Sequence, residues 1–225
     1  MAQELEGRKN ARFLLWVLLC CSGVANAQEW YAGAGIGLSR ADNLGACSSS
    51  NGLSAGFSCS GNSSTGWRLF AGYEINRNLA VEGSYVDLGE FNQSAQGSAT
   101  GAPPGNTATT RSTGKPIGLS VDAVATWLGN EQSGVIARVG ILVWSLDSRM
   151  ATTFNGINTT TSHNTPTGAS LDIGVGLKHD FDKNLGVRVE LQRFLNVGDD
   201  TTGKAGIYLL SASLVYRFSF RSSFY

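Results

Sequence analysis

The chain has 225 residues, of which 42% are hydrophobic, 15% charged and 9% aromatic, with 29 glycines and 4 prolines. Its 17 basic and 17 acidic residues balance, so no polybasic surface points to nucleic acid as a partner. No run of about 20 apolar residues is present to cross a membrane as a helix; Gly, Ser, Thr and Asn stand where charge is missing, which leaves an all-β protein, either soluble or a barrel in a membrane.

The first segment reads as an address. Arg8, Lys9 and Arg12 precede an apolar stretch from Phe13 to Ala25, and Ala25-Asn26-Ala27 is a small-x-small cleavage pattern. This predicts a secretory signal peptide over 1–27 and a β-barrel domain over 28–225, the mature chain starting at Gln28. A transmembrane anchor is the alternative, but the apolar stretch is too short to span a bilayer. A lipoprotein signal at Cys20 or Cys21 is disfavoured by the bulky Leu18-Leu19 before them. Cys47 and Cys59 remain after cleavage, in a Gly- and Ser-rich segment. In an exported, oxidising setting an even pair predicts a disulfide that restrains a surface loop. Two free thiols are the alternative, and metal binding is disfavoured because neither Cys has a His or second Cys nearby.

Eight segments then alternate with a period of two. The first lies near 30–40. In the second, Trp67, Leu69, Ala71, Tyr73 and Ile75 oppose Arg68, Phe70, Gly72 and Glu74. The third lies near 79–91. The fourth, Lys115 to Leu128, sets Ile117, Leu119, Val121, Ala123, Ala125 and Trp127 against Gly118, Ser120, Asp122, Val124 and Thr126. The fifth, 134–146, is less clean, with Ile136 and Leu142 on its polar face. The sixth alternates from Ala169 to Lys178 and the seventh from Leu185 to Gln192; the eighth spans 204–218. Each is longer than the ~5–6 residues usual in soluble strands and suits the ~9–11 of a tilted membrane strand. Long linkers (41–65, 92–114, 147–167) alternate with short ones (76–78, 129–133, 181–184), and the last, 198–203, is moderate. A membrane barrel keeps short turns on the periplasmic side and long loops outside. The Ser/Thr/Gly-rich composition of Ser94 to Gly114 and around Thr159-Thr160-Thr161 predicts mobile loops.

In a lipid barrel the apolar face points outward and the polar face fills the lumen. That polar face carries Arg68, Glu74, Glu82, Asp122, Arg138, Asp172, Lys178, Arg188, Glu190 and Arg217, balanced in sign. In a narrow eight-stranded interior they must pair. The expected barrel-interior charges are Arg68, Glu82, Asp122, Arg138, Asp172, Arg188 and Glu190, of which Glu82, Asp122, Arg138 and Arg188 fall near mid-strand and should overlap in height. The aromatics sort by height into two belts. Trp30, Tyr73, Trp127, Phe181, Tyr216 and Phe218 lie near the periplasmic ends; Trp67, Tyr85, Trp144, Phe194 and Tyr208 lie near the outer ends.

Particular stretches also resemble a known family. Trp30-Tyr31-Ala32-Gly33-Ala34-Gly35-Ile36-Gly37, Gly66 to Tyr73, Asn78 to Gly89, and Leu214-Val215-Tyr216-Arg217-Phe218 resemble the first, second, third and closing strands of the outer membrane protein A-like family. The resemblance covers essentially the whole mature chain and implies an eight-stranded antiparallel up-and-down transmembrane β-barrel in the bacterial outer membrane. It further implies that Tyr216 and Phe218 form a C-terminal signal for the outer membrane assembly machinery. The tail after Phe218 leaves Tyr225 as the rival terminal aromatic.

Little in the sequence points to catalysis. Ser162-His163 lies in a Thr/Ser-rich loop and His179 near a periplasmic turn, so a solvated or satisfied histidine is expected at each. Asp199-Asp200 reads as a solvated turn, with weak calcium binding as the alternative. Gly33-x-Gly35-x-Gly37 is a small-residue strand face rather than a nucleotide loop, because no helix follows. The reading is therefore a monomeric, non-enzymatic, multi-pass outer membrane barrel of a Gram-negative bacterium, without cofactor. Its partners are outer membrane lipids, and its role is structural or in surface interaction. A small-solute channel is the alternative, and a lipid-acting barrel enzyme a third. The sequence names no surface ligand.

Overall fold

Alternation of apolar with small or polar residues, rich in Val, Leu, Ile and Thr, suits a pleated sheet whose two faces meet different surroundings. A computed structural model describes residues 29–42, 58–60, 63–98, 107–130, 132–154, 157–198 and 204–218. The signal segment, Cys47, Asp199-Asp200 and the tail beyond Phe218 lie outside the described residues. Among the described residues eleven strands form: β1 (Trp30–Ala41), β2 (Ser58–Ser60), β3 (Ser63–Asn76), β4 (Leu79–Asp87), β5 (Phe91–Ser98), β6 (Thr107–Leu128), β7 (Ser133–Phe154), β8 (Ile157–Asn164), β9 (Thr167–Asp180), β10 (Leu185–Val197) and β11 (Ala205–Phe218).

Eight of them close a ring, β1-β3-β4-β6-β7-β9-β10-β11, with β11 returning to β1. Every neighbouring pair is antiparallel. Closure runs from Trp30↔Phe218 to Ala41↔Ile207, so the first and last membrane strands satisfy each other's edges. The short turns fall at 77–78, 129–132 and 181–184. They are tied by side chains: Asn78 Nδ2 donates to the Thr126 carbonyl at 2.8 Å, and Asp182 Oδ1 accepts from the backbone N–H of Asn184 and Leu185, each at 2.7 Å.

The long linkers differ from expectation. Residues 92–114 and 147–167 are largely strand. β5 pairs with the outer part of β6, Phe91↔Gly114 to Ser98↔Thr107. β8 pairs with the outer part of β7, from Ser148↔Asn164 to Phe154↔Ile157. β2, inside the 41–65 linker, pairs with β5. Ser and Thr cannot build a core, but a paired ribbon needs none: the ladder itself satisfies the backbone, and Thr favours extended backbone. The ribbons continue barrel strands. β5 continues β4 after Gly89, whose φ of 80° breaks the extended run. The rim is therefore tall around β5–β8 and low at β10–β11, where pairing ends at Val197↔Ala205.

The radial polarity is that of a lipid barrel. Ile36, Leu119, Val121, Val143, Val175, Leu177 and Leu214 are all exposed on the outside, whereas Arg68, Glu82, Asp172 and Gln192 are fully buried inside. Outward aromatic pairs mark two heights: Trp30–Tyr73 and Tyr216–Phe218 near the short turns, each with ring centroids 5.1 Å apart, and Trp67–Tyr85 at 5.3 Å near the long-loop end. Trp144 and Phe194, expected in the outer belt, instead point inward and are buried. Height along a strand places an aromatic at an interface, but its strand parity decides which side of the wall it faces.

Candidate functional site

The lumen is filled in layers. Nearest the long-loop end lies an apolar cluster built on Val86, Leu88, Phe91, Leu142, Trp144, Phe194, Ile207 and Leu209. Below the middle lies a second, of Tyr31, Phe70, Ala80, Val124, Ile136 and Val215. Ile136 and Leu142, which disturbed the alternation of the fifth segment, belong to these two layers.

Between the apolar layers sits an ionic layer, and it brings together the predicted interior charges. Glu82 is its hub. Its Oε1 accepts from Arg68 and Arg138; its Oε2 accepts from Arg188 Nη1 at 2.9 Å and from the Tyr31 hydroxyl at 3.0 Å. Glu190 is the second centre, 3.1 Å from Arg68 Nη1 and 3.2 Å from Arg138 Nε. Asp122 lies at the edge, 3.7 Å from Arg138 Nη1, and accepts from the Ser120 hydroxyl at 2.8 Å. Asp172 forms no ion pair among the described residues; it accepts from Gln192 Nε2 at 3.0 Å, and Gln192 Oε1 accepts from Arg68 at 2.8 Å. Two guanidiniums rest on rings of the lower apolar layer, Arg68 4.5 Å from the centroid of Phe70 and Arg188 4.7 Å from that of Tyr31. Nearer the short turns, Arg217 ties Asp180 at 2.8 Å and Glu74 at 3.3 Å, and Lys178 lies 3.5 Å from Asp180.

Room for this layer comes from glycine. Across the wall, Arg68 faces Gly35, Glu82 faces Gly72, Asp122 faces Gly140, Arg138 faces Gly174 and Glu190 faces Gly176. A Cβ on Gly140 would stand 2.0 Å from Asp122 Oδ1, and one on Gly72 would stand 2.1 Å from the Tyr31 ring. The Gly33-x-Gly35-x-Gly37 run serves the same purpose, Gly33 giving space to the Phe70 ring. The seven charges are buried on the lumenal side, and Tyr31 and Gln192, not singled out from the sequence, also belong to the network. Both were visible: Tyr31 shares parity with the inward glycines of its strand, and Gln192 shares parity with Arg188 and Glu190.

Among the described residues neither histidine contacts both a serine and a carboxylate. Ser162 and His163 are successive strand residues and so project to opposite faces; His163 Nε2 lies 3.2 Å from Asp147 Oδ1 on the exposed rim. His179 Nδ1 lies 2.8 Å from Ser133 Oγ, on the outer face near the short turns. Cys59 lies in β2; Cys47, with which a disulfide is expected, is outside the described residues.

A closed ring with an apolar exterior, aromatic girdles and a polar lumen defines an integral transmembrane β-barrel. The chain belongs to the OmpA-like transmembrane domain family, whose model matches residues 25–222, and it is accordingly a multi-pass barrel of the bacterial outer membrane. No curated protein matches it. Among solved structures, it is similar to Neisserial surface protein A at 15% identity, with a TM-score of 0.48, over 84% of this chain and 97% of that one. It is similar to Ail, the attachment invasion locus protein of Yersinia pestis, at 18% identity and a TM-score of 0.43, over 86% and 100%. The N-terminal barrel domain of Pseudomonas aeruginosa OprF aligns at 13% identity and a TM-score of 0.43, over 86% and 100%.

Proposed function

We propose that the protein is a closed, monomeric, non-enzymatic barrel that serves the outer membrane structurally and presents a surface for interaction at its long-loop rim. The observation that carries this reading is the layered lumen. An open aqueous path would need a continuous polar lining, whereas here two buried apolar layers bracket a paired ionic layer. An eight-stranded barrel has an interior that side chains can fill completely. The tall ribbon of β5–β8 supports the surface role, since it extends a hydrogen-bonded platform from the barrel wall.

The rest of the reading concerns export and assembly. Residues 1–27 act as a signal peptide, Gln28 begins the mature chain, and Cys47 bridges Cys59 in the exported protein. Tyr216 and Phe218 are read by the outer membrane assembly machinery; Phe218 ends β11 and pairs with Trp30 at the barrel seam, which supports it over Tyr225 as the terminal aromatic. Planar-bilayer recording of the reconstituted protein tests the plug. Little or no steady conductance is expected. A large, stable, ion-selective conductance would reject the closed barrel and establish the small-solute channel.

A further inference from the structure

The low side of the rim carries a second arrangement of charge, on the outside of the wall. Leu38, Leu210 and Leu191 form one outward row across β1, β11 and β10, and all three are exposed. One step of two residues toward the long-loop end, the next outward row reads Arg40, Tyr208, Arg193. Arg40 and Arg193 are exposed. Two strand spacings, about 10 Å, separate their backbones, and Arg193 leans inward so that its guanidinium lies 4.9 Å from the Tyr208 ring centroid. Among the described residues neither arginine forms an ion pair. Two cations on the opposite side of the rim have carboxylates: Lys115 has Asp87 at 3.4 Å, and Arg149 has Asp147 at 3.5 Å. The carboxylate beside Arg193 is Asp42, whose Oδ2 lies 3.8 Å from the position a Gly206 Cβ would take and which forms an ion pair with neither arginine. Gly206, the next outward residue on β11, leaves the guanidinium uncovered: even a Cβ there would stand 3.6 Å from its Nε and Nη2.

The depth of this row follows from its neighbours. An outward charge costs ~2–4 kcal/mol at mid-bilayer and almost nothing at the interface. The step from three leucines to two arginines and a tyrosine therefore marks where hydrocarbon gives way to headgroups. At that depth a guanidinium outside any ion pair can take phosphate, its best bidentate acceptor. We propose that Arg40, Tyr208 and Arg193 form a binding site for the phosphate-bearing headgroup of an outer-leaflet lipid, whose acyl chains lie over Leu38, Leu210 and Leu191. The two guanidiniums grip phosphate oxygens from either side, and Tyr208 holds Arg193 in place and offers its hydroxyl to the headgroup. The site is on the outer wall and does not depend on whether the lumen conducts.

The test uses the full exported protein in phosphatidylcholine nanodiscs doped with diphosphoryl lipid A, repurified in detergent, with bound phosphate counted per barrel. About one retained lipid A per barrel is expected. The Arg40→Gln/Arg193→Gln double variant should retain roughly tenfold less, the Arg40→Lys/Arg193→Lys variant should keep part of the binding, and Arg111→Gln, on the tall side of the rim, should match the wild type. Heat-dependent gel migration verifies that each variant is folded, and the lysine pair carries the comparison if the glutamine pair fails to fold. Equal retention by the wild type and the folded double variant overturns the site, as does an equal loss in Arg111→Gln. Equal retention of lipid A stripped of its phosphates, or displacement of lipid A by millimolar inorganic phosphate, overturns the lipid-headgroup assignment.

Discussion

The ionic layer holds three arginines and four carboxylates, so net charge and geometry predict opposite outcomes for the same substitution. By charge count, neutralising any acid balances the layer at three against three. By geometry, Glu82 is irreplaceable: each of its oxygens takes two donors, from three guanidiniums and a phenol. In Glu82→Gln one of those oxygens becomes an NH2 group that faces two donors. Breaking a buried ion pair by removing one partner costs ~3–5 kcal/mol, and Glu82→Gln is expected to fall in that range. Asp172→Asn removes a carboxyl from the same layer but breaks no ion pair, and its remaining oxygen still accepts from Gln192, so a change within about 1 kcal/mol is expected. Urea unfolding of vesicle-reconstituted protein, followed through Trp30, Trp67, Trp127 and Trp144, measures both. Equal destabilisation by the two substitutions would refute the hub and leave net charge in control. The pairing has its own test. Arg138→Gln alone strands Asp122, whose one ion pair among the described residues is with Arg138. Adding Asp122→Asn should restore part of the loss, with a coupling of ~0.5–3 kcal/mol.

The wall, the lumenal spacing and the turns can each be probed. Val121 is 65% exposed and Ser120 2%, so Val121→Arg should cost ~2–4 kcal/mol by placing charge in lipid. A cysteine at 121 should resist a water-soluble label, and labelling there would invert the assignment of faces. Gly140→Ala should cost ~1–3 kcal/mol in the same unfolding assay, because its Cβ meets both the Asp122 carboxylate and the Val121 carbonyl oxygen. At the 181–184 turn, the backbone N–H groups of Leu185 and Asn184 hold Asp182 below its ordinary value of 3.8. A depressed carboxylate stabilises the turn above that ordinary value and stops doing so as pH falls through its folded one. Amide hydrogen exchange at Asn184 and Leu185 should therefore stay protected near neutral pH and lose protection in strong acid; Asp182→Ala should lose it at all pH values.

Much of this architecture was legible because one rule, strand parity, governs it. Eight alternating segments follow from a period of two, and the ring closes on eight strands. The misreadings share a cause: composition or height was given weight that parity should have had. Trp144 and Phe194 stand at belt height, but on the inward parity of Leu142 and Gln192. The Ser/Thr-rich linkers were read as mobile on composition, although Thr109-Thr110 and Thr152-Thr153 pair across β6 and β7 as any strand residues do. Which carboxylate meets which arginine was not legible, since contact across a lumen depends on stagger between strands, and stagger is set by the whole closed ring.

Parity together with register explains why glycine is so abundant here. In a soluble strand an interior glycine weakens the sheet by offering nothing to pack. In this wall each of five lumenal charges has a glycine directly across the ladder, so the absent side chain is the space the charged one occupies. An eight-stranded lumen crowds charged side chains that face one another at one level, as Glu82 and Asp122 or Arg188 and Lys178 do, and an unpaired buried charge is too costly to keep. Setting glycine opposite charge meets both constraints: the charged side chains reach past the wall to one another across the axis instead of crowding along it. Glycine content and interior charge are then linked quantities in this barrel, and replacing a glycine opposite a charge should perturb the ion pair before it perturbs the strand.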